Sequence, residues 1–166
     1  MIQPIKYCYW VASSKLLAGE YPRNKDDKSS QEKISALLRS GVKAFIDLTE
    51  ENEGLLPYCG LIGAASHQRF PVRDTSIPAS PDATIAILDA IDGHIECGQL
   101  VYVHCLGGVG RTGVIIGCWL ARHGLGGEEA LLRLRELWRQ CPKSAFRKSP
   151  ERPEQEQYIL SWEAGR

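Results

Sequence analysis

Apolar residues along the chain fall into two patterns, short unbroken runs and runs spaced three or four apart, and the two alternate. Residues 7–11 (YCYWV) are aromatic and β-branched, and residues 16–19 (LLAG) follow a Ser-Ser turn; both read as short strands. Residues 29–39 carry Ile34, Leu37 and Leu38 at helical spacing, with Gly41 placed to stop the helix. Residues 43–49 (KAFIDLT) read as a buried strand, and residues 67–72 as another that Pro71 keeps short or at an edge. Ser80, Pro81 and Asp82 make a helix start: a capping serine, a proline at the first helical position, and an acid near the positive helix end. That helix is expected to reach Glu96, with Ile85, Leu88, Ile91 and Ile95 on one face, and to break at Gly98. Residues 100–104 (LVYVH) form a short apolar strand, followed by a glycine-rich loop and an apolar helix over 111–122. A further helix spans 127–140 with Leu131, Leu134 and Trp138 inward, and a charged, proline-rich stretch over 147–156 leads to a last helix ending near Trp162.

Strands alternating with helices imply an α/β fold: one domain over residues 1–166, with a largely parallel central sheet flanked by helices. No repeat or long linker divides the chain. Ligands of such sheets bind outside the carboxyl ends of the strands, where the glycine-rich loop after Val103 lies.

Composition narrows the function by exclusion. At 166 residues, 43% hydrophobic and 24% charged, the chain has the make-up of a globular protein with one core. Twenty basic residues balance twenty acidic ones, so no nucleic-acid or membrane partner is expected. No apolar run approaches the roughly 20 residues that cross a bilayer, and residues 1–9 lack the pattern of a secretion signal. The expectation is a cytoplasmic monomer. Six cysteines (Cys8, Cys59, Cys97, Cys105, Cys118 and Cys141) are scattered without a C-x-x-C pair or metal-ligand spacing. They read as free thiols in a reducing compartment, and no metal or other cofactor is expected.

The chemistry is concentrated in Val101-Tyr-Val-His-Cys-Leu-Gly-Gly-Val-Gly-Arg-Thr-Gly-Val114. It reads as a buried strand, a nucleophile, a flexible loop and a helix that opens on a cation. The glycines let the backbone fold with its N–H groups inward, the nest geometry that binds anions. The following helix adds its unsatisfied N–H groups and its positive end. The field that draws in phosphate also favours a cysteine thiolate, the form that attacks. Arg111 offers a planar fork for two phosphate oxygens; lysine would supply charge without that geometry.

His104-Cys105-Leu-Gly-Gly-Val-Gly-Arg111-Thr112-Gly113 resembles H-C-x-x-G-x-x-R-[ST]-G, the signature of the Cys-x5-Arg phosphatases, which include protein tyrosine and dual-specificity phosphatases. The resemblance implies the protein tyrosine phosphatase-like fold and a role for each residue. Cys105 would form a phosphocysteine. Leu106, Gly107, Gly108, Val109 and Gly110 would hold the phosphate with Arg111, which would also stabilise the transition state. Thr112 would hydrogen-bond the sulfur and help it leave, and His104 would order the loop by bonding backbone.

Breaking a phosphate ester needs a proton for the departing oxygen. In the family the donor is an aspartate on an upstream loop, and Asp74, in Phe70-Pro-Val-Arg-Asp-Thr-Ser-Ile-Pro78, resembles it. Asp82 is better explained as part of a helix start. Asp47 could face the site or close a turn, and a turn is favoured. Residues 16–23 resemble an early segment of small tyrosine-phosphatase-like proteins. Arg23 there could contact substrate, although an exposed loop arginine is more often only solvated. Gln155 and Gln157 invite comparison with the water-positioning glutamine of some phosphatases but read as surface helix residues. Cys118 reads as core, and Cys59 as a weak candidate for a resolving partner of Cys105.

The chain lacks the length of the large phosphotyrosine-specific domains and resembles the compact dual-specificity type, in its small microbial form. Its loop residues 106–110 are uncharged, whereas phosphoinositide and inositol-phosphate phosphatases of the resembled family often place lysines there, so the resemblance disfavours a highly phosphorylated substrate. The reading is hydrolysis of phosphotyrosine, with phosphoserine and phosphothreonine also open, in a phosphorylated protein or peptide partner. The alternatives are a catalytically silent phosphoprotein-binding module, a phosphatase of a non-protein substrate such as an inositol phosphate, and arsenate reduction.

Overall fold

A computed structural model of the protein describes residues 2–166; Met1, part of the N-terminal stretch read for a secretion signal, lies outside them. The chain forms β1 (Cys8–Ala12), β2 (Leu16–Gly19), α1 (Asp27–Arg39), β3 (Val42–Asp47), β4 (Ser66–Arg69), α2 (Pro81–Glu96), β5 (Leu100–His104), α3 (Gly110–Arg122), α4 (Gly127–Trp138) and α5 (Pro153–Leu160). Three short 3-10 turns, Glu51–Glu53, Cys59–Leu61 and Pro142–Ala145, were not anticipated. The five strands are ordered β1-β2-β5-β3-β4, with only the β1–β2 pair antiparallel. The expected fold class, an α/β sheet that is mostly parallel and flanked by helices, is the one observed.

Both faces of the sheet are covered at its centre, so β2 and β5 are buried along their whole length, whereas the edge strand β4 (SHQR) is polar and only partly buried. Successive residues of β5 serve opposite faces: Val101 and Val103 pack toward α2–α5, and Leu100 and Tyr102 toward α1. In β3, Val42 and Phe45 both face α1 because a bulge between Val42 and Ala44 shifts the register. α1 opposes them with Ile34 and Leu37. α3 is buried along nearly its whole length, and each of Ile115, Ile116 and Leu120 stabilises the fold by roughly 1.5–3 kcal/mol.

The helix signals act as anticipated, with small shifts of boundary. Ser80 Oγ accepts from Ala83 N at 3.1 Å ahead of Pro81. The inward face of α2 is Thr84, Ile87, Leu88 and Ile91, with Ile85 and Ile95 only half-buried, so the apolar stripe sits slightly round from the expected one. α1 begins earlier than expected because Asp26 caps it, accepting from Ser29 N at 2.8 Å. Gly41 takes φ +102° just past its end. β4 is an edge strand, and its regular part ends before Pro71. β3 stops at Asp47, whose carboxylate accepts from both Thr49 N (2.9 Å) and Thr49 Oγ1 (2.6 Å), closing the expected turn.

β5 is the central strand. It delivers Cys105 to the carboxyl edge, flanked by the end of β2 on one side and of β3 on the other.

Candidate active site

The loop between β5 and α3 turns back over a cavity of about 210 Å³ lined by Cys105, Leu106, Gly107, Val109, Gly110 and Arg111, and by Asp74 and Thr75 from the loop after β4. Sequence separation between these two groups is large, and the parallel sheet brings them to one edge.

Gly108 turns the loop with φ +71°, a left-handed conformation natural to glycine. It also needs glycine for space, since a Cβ there would lie 2.4 Å from the carbonyl carbon of Gly19. The loop carbonyls are held from outside. Leu106 O accepts from Tyr21 N (3.0 Å), Gly107 O from Lys143 Nζ (2.9 Å), and Val109 O from Ser149 Oγ (2.7 Å). Across a trans peptide the C=O of one residue and the N–H of the next point in opposite directions. Donors on these three carbonyls therefore turn the N–H groups of Gly107, Gly108 and Gly110 to the opposite side of the loop. The loop's conformation is held by contacts from three distant segments.

Arg111 is only 2% exposed. Its guanidinium is held fork to fork by Glu53, by Asp74 (Nη2–Oδ1 2.9 Å), and by the carbonyls of Val72 (3.0 Å) and Leu48 (3.4 Å). Burial works to lower the proton affinity of the guanidinium, but Glu53 and the neighbouring anionic groups outweigh it and hold the cation firmly. Burial likewise works to raise the Glu53 carboxyl, and the Arg111 hydrogen bonds bring it below the usual range.

Cys105 is 3% exposed at the cavity floor. His104, fully buried, bridges Cys105 O (Nδ1, 3.4 Å) and the Tyr58 hydroxyl (Nε2, 2.6 Å). A carbonyl can only accept, so Nδ1 carries the proton and Tyr58 donates to Nε2. Burial pushes His104 down to about 4, against the opposing pull of Asp47, leaving it neutral near pH 7. Thr112 is fully buried, and its Oγ1 has no hydrogen-bond partner among the described residues. Asp74 is largely exposed and precedes Thr75, a β-branched residue at φ +59°, so local backbone strain sits beside it.

Several residues were missed or misread from sequence. Glu53, on the turn after β3, went unnoticed. Gln155 is no surface residue: it is fully buried, donates to Ser76 O (2.9 Å), and accepts from Glu151 N (3.3 Å) and Arg152 N (3.2 Å), tying the Asp74 loop to the start of α5. Gln157 is exposed. Residues 147–156, read as a connection to the last helix, and the Pro142–Ala145 turn before them, which the sequence did not reveal, wrap the loop through Ser149 and Lys143. They also bring Arg147 and Glu151, paired at 2.5 Å, to the cavity wall. Their lysines and serines carried no sequence signal. Asp47 closes its turn and, wholly buried, also holds Arg69 (3.2 Å) and His67 (3.1 Å). Arg23 is tied to Asp27 (2.8 Å) and the Pro57 carbonyl. All six cysteines are free; Cys118 is core and Cys59 is exposed. Among the described residues no cluster of His, Cys, Asp and Glu has the make-up of a metal site, and no helix is long and apolar enough to cross a membrane.

Residues 20–125 match the profile of a family described as polymorphic toxin system, DSP-PTPase phosphatase. Among curated sequences, the chain is 32% identical over 117 residues to the protein named "Putative tyrosine phosphatase 067L" of Invertebrate iridescent virus 3, covering 68% of this chain and 45% of that one. It is 33% identical over 111 residues to phosphatidylglycerophosphate phosphatase PTPMT2 of Arabidopsis thaliana, covering 65% and 45%. The chain thus spans less than half the length of either relative. Among solved structures it is similar to Tk-PTP in its active form (TM-score 0.76, 23% identity, 94% of this chain and 95% of that one). It is also similar to PTPMT1 (TM-score 0.71, 20% identity, 94% and 93%).

Proposed function

The chain belongs to the DSP-PTPase phosphatase family, and from that premise we propose that it hydrolyses phosphate monoesters on proteins, phosphotyrosine first and phosphoserine and phosphothreonine as well, through a phosphocysteine. The observation that carries this reading is the convergence of Cys105, Arg111 and Asp74 on one cavity.

In the first step the Cys105 thiolate attacks phosphorus; the S–P bond forms, the P–O ester bond breaks, and Asp74 gives its proton to the departing oxygen. Arg111 and the N–H groups of Gly107, Gly108 and Gly110 take the charge that develops on the equatorial oxygens. In the second step water attacks phosphorus, Asp74 accepts its proton, and the sulfur leaves as thiolate, assisted by the Thr112 hydroxyl. That hydroxyl, buried with its hydrogen-bonding capacity unspent, suits the role. No step calls for a metal. The cavity wall contains no aromatic side chain to clamp a phenyl ring, which supports acceptance of phosphoserine and phosphothreonine beside phosphotyrosine.

A second reading, a phosphate on a non-protein alcohol, is favoured by the similarity to a phosphatidylglycerophosphate phosphatase. One experiment separates the two. Phosphate release is measured in EDTA from phosphotyrosine and phosphothreonine peptides, from an inositol phosphate and from phosphatidylglycerophosphate, with Cys105→Ser as control. Cys105-dependent turnover favouring the peptides supports the first reading, and preference for the lipid or the inositol ester replaces it with the second. Binding without turnover of any substrate makes the chain a phosphate-reading module.

A further inference from the structure

A second cavity, of about 300 Å³, adjoins the catalytic one and has no part in the chemistry above. It is lined by Tyr21, Arg23, Asn24 and Lys25 from the segment after β2, by Gly54, Leu55 and Leu56 from the segment after the Glu51–Glu53 turn, and by Leu106. Leu106, the residue after the nucleophile, lines both cavities. Leu106 is thus a wall common to both cavities.

The walls of this cavity are built, not incidental. Tyr21 holds two of them together, its N–H bonded to Leu106 O (3.0 Å) and its hydroxyl to Leu56 O (3.1 Å). Arg23 donates to Pro57 O and pairs with Asp27, and its buried Nε has no hydrogen-bond partner among the described residues. The cavity has two cations in its lining and no carboxylate. Asp27 engages Arg23, whereas Lys25 is exposed and has no ion-pair partner among the described residues. Leu56 and Leu106, 45% and 47% exposed, are two of the few large apolar side chains left open to solvent. An exposed cation that makes no ion pair among the described residues, beside an apolar shelf, fits a carboxylate presented on a chain that also offers something to pack.

We propose that this second cavity receives an acidic side chain of the phosphorylated protein, close in sequence to the phosphorylated residue, with Lys25 as its cation and Leu56 and Leu106 as the apolar walls for the segment that carries it. The proposal rests on the protein-phosphatase reading and adds to it a substrate class: phosphorylated segments with acidic flanks.

The test compares kcat/KM for two phosphotyrosine peptides that differ only in flanking glutamates or flanking lysines. The wild-type protein is expected to favour the acidic peptide by roughly threefold to fivefold, the scale of a partly exposed ion pair, with the preference shrinking at high salt. Lys25→Glu is expected to reverse the order, and Lys28→Glu, an exposed site on α1 outside the cavity, to retain it. Equal turnover of the two peptides by the wild type overturns the subsite and leaves the phosphatase reading standing. An unchanged ratio in Lys25→Glu overturns the assignment to this cavity. Turnover of phosphatidylglycerophosphate in vesicles with none of either peptide overturns the subsite and the protein-phosphatase reading together.

Discussion

Glu53 and Arg111, 58 positions apart in the chain, meet fork to fork, one carboxylate oxygen against Nη1 and the other 3.0 Å from Nη2. The pair aims the guanidinium before any phosphate arrives, so its orientation is settled during folding and not during binding. Glu53→Gln keeps the shape and removes the charge. Steady-state kinetics should show kcat/KM reduced by about tenfold to a hundredfold. Denaturant unfolding should show a loss of about 1–3 kcal/mol, because the buried cation keeps only part of its partner set. Unchanged kinetics would remove Glu53 from the catalytic framework.

Asp74 pairs with Arg111 at 2.9 Å while remaining largely open to solvent. Asp74→Asn is expected to slow esters with poor leaving groups far more than activated aryl esters, since only the former depend on a proton from the enzyme. General acid catalysis is worth about 10²–10⁴. A series of phosphate esters graded by leaving-group basicity reads the effect as a steeper dependence. Equal losses across the series would point to a different acid.

Gly108→Ala meets two obstacles at once, a left-handed backbone and a Cβ placed against Gly19. The expected cost is about 2–4 kcal/mol in stability from overpacking and strain together. Vanadate affinity should fall in parallel, because relief of the clash must rotate the peptides that form the nest. Thermal unfolding and vanadate titration check the two halves separately.

Lys143 donates to Gly107 O and is itself held by Glu20 at 2.8 Å. Lys143→Met frees the Gly107–Gly108 peptide to turn. A charge-assisted hydrogen bond is worth roughly 1.5–3 kcal/mol, so kcat/KM should fall by about tenfold to a hundredfold. Recovery in Lys143→Arg identifies the donor as the cause; failure of both variants alike would leave only packing.

His104 sets a pH limit. Its proton affinity is lowered from 6.5 to about 4 in the fold, so between those values the unfolded chain binds the proton that the folded one refuses. Stability is then complete above about pH 6.5 and declines as pH falls toward 4, by about 3 kcal/mol over the window. Asp47 acts in the same direction at lower pH. Burial works to raise its carboxyl, but His67, His104 and Thr49 together hold it far below the ordinary value, so its contribution is lost as it is forced to protonate. Urea unfolding at pH 7.5, 6 and 5 should show the decline, and His104→Asn should flatten it.

The sequence by itself determined the elements and the loop on which the proposed chemistry rests. Caps, glycine stops and apolar spacing are local, so α1, α2 and the β5–loop–α3 unit were readable to within a few residues. Cys105 and Arg111 share one short loop whose glycines announce an anion nest, and no distant contact is needed to recognise it. Asp74 was legible only through family resemblance. Tertiary structure alone decided which common polar residues serve that loop. Glu53, Lys143, Ser149 and Gln155 are types that usually face water, and nothing in their neighbours along the chain sets them apart. They acquire roles because the sheet edge and the wrapping of residues 142–155 place them against loop carbonyls, a buried guanidinium and the Asp74 loop. Burial then makes each such hydrogen bond costly to lose. Hydrophobic periodicity reports which face of an element is buried, but which buried polar group will find which partner depends on contacts between segments that the chain order does not encode.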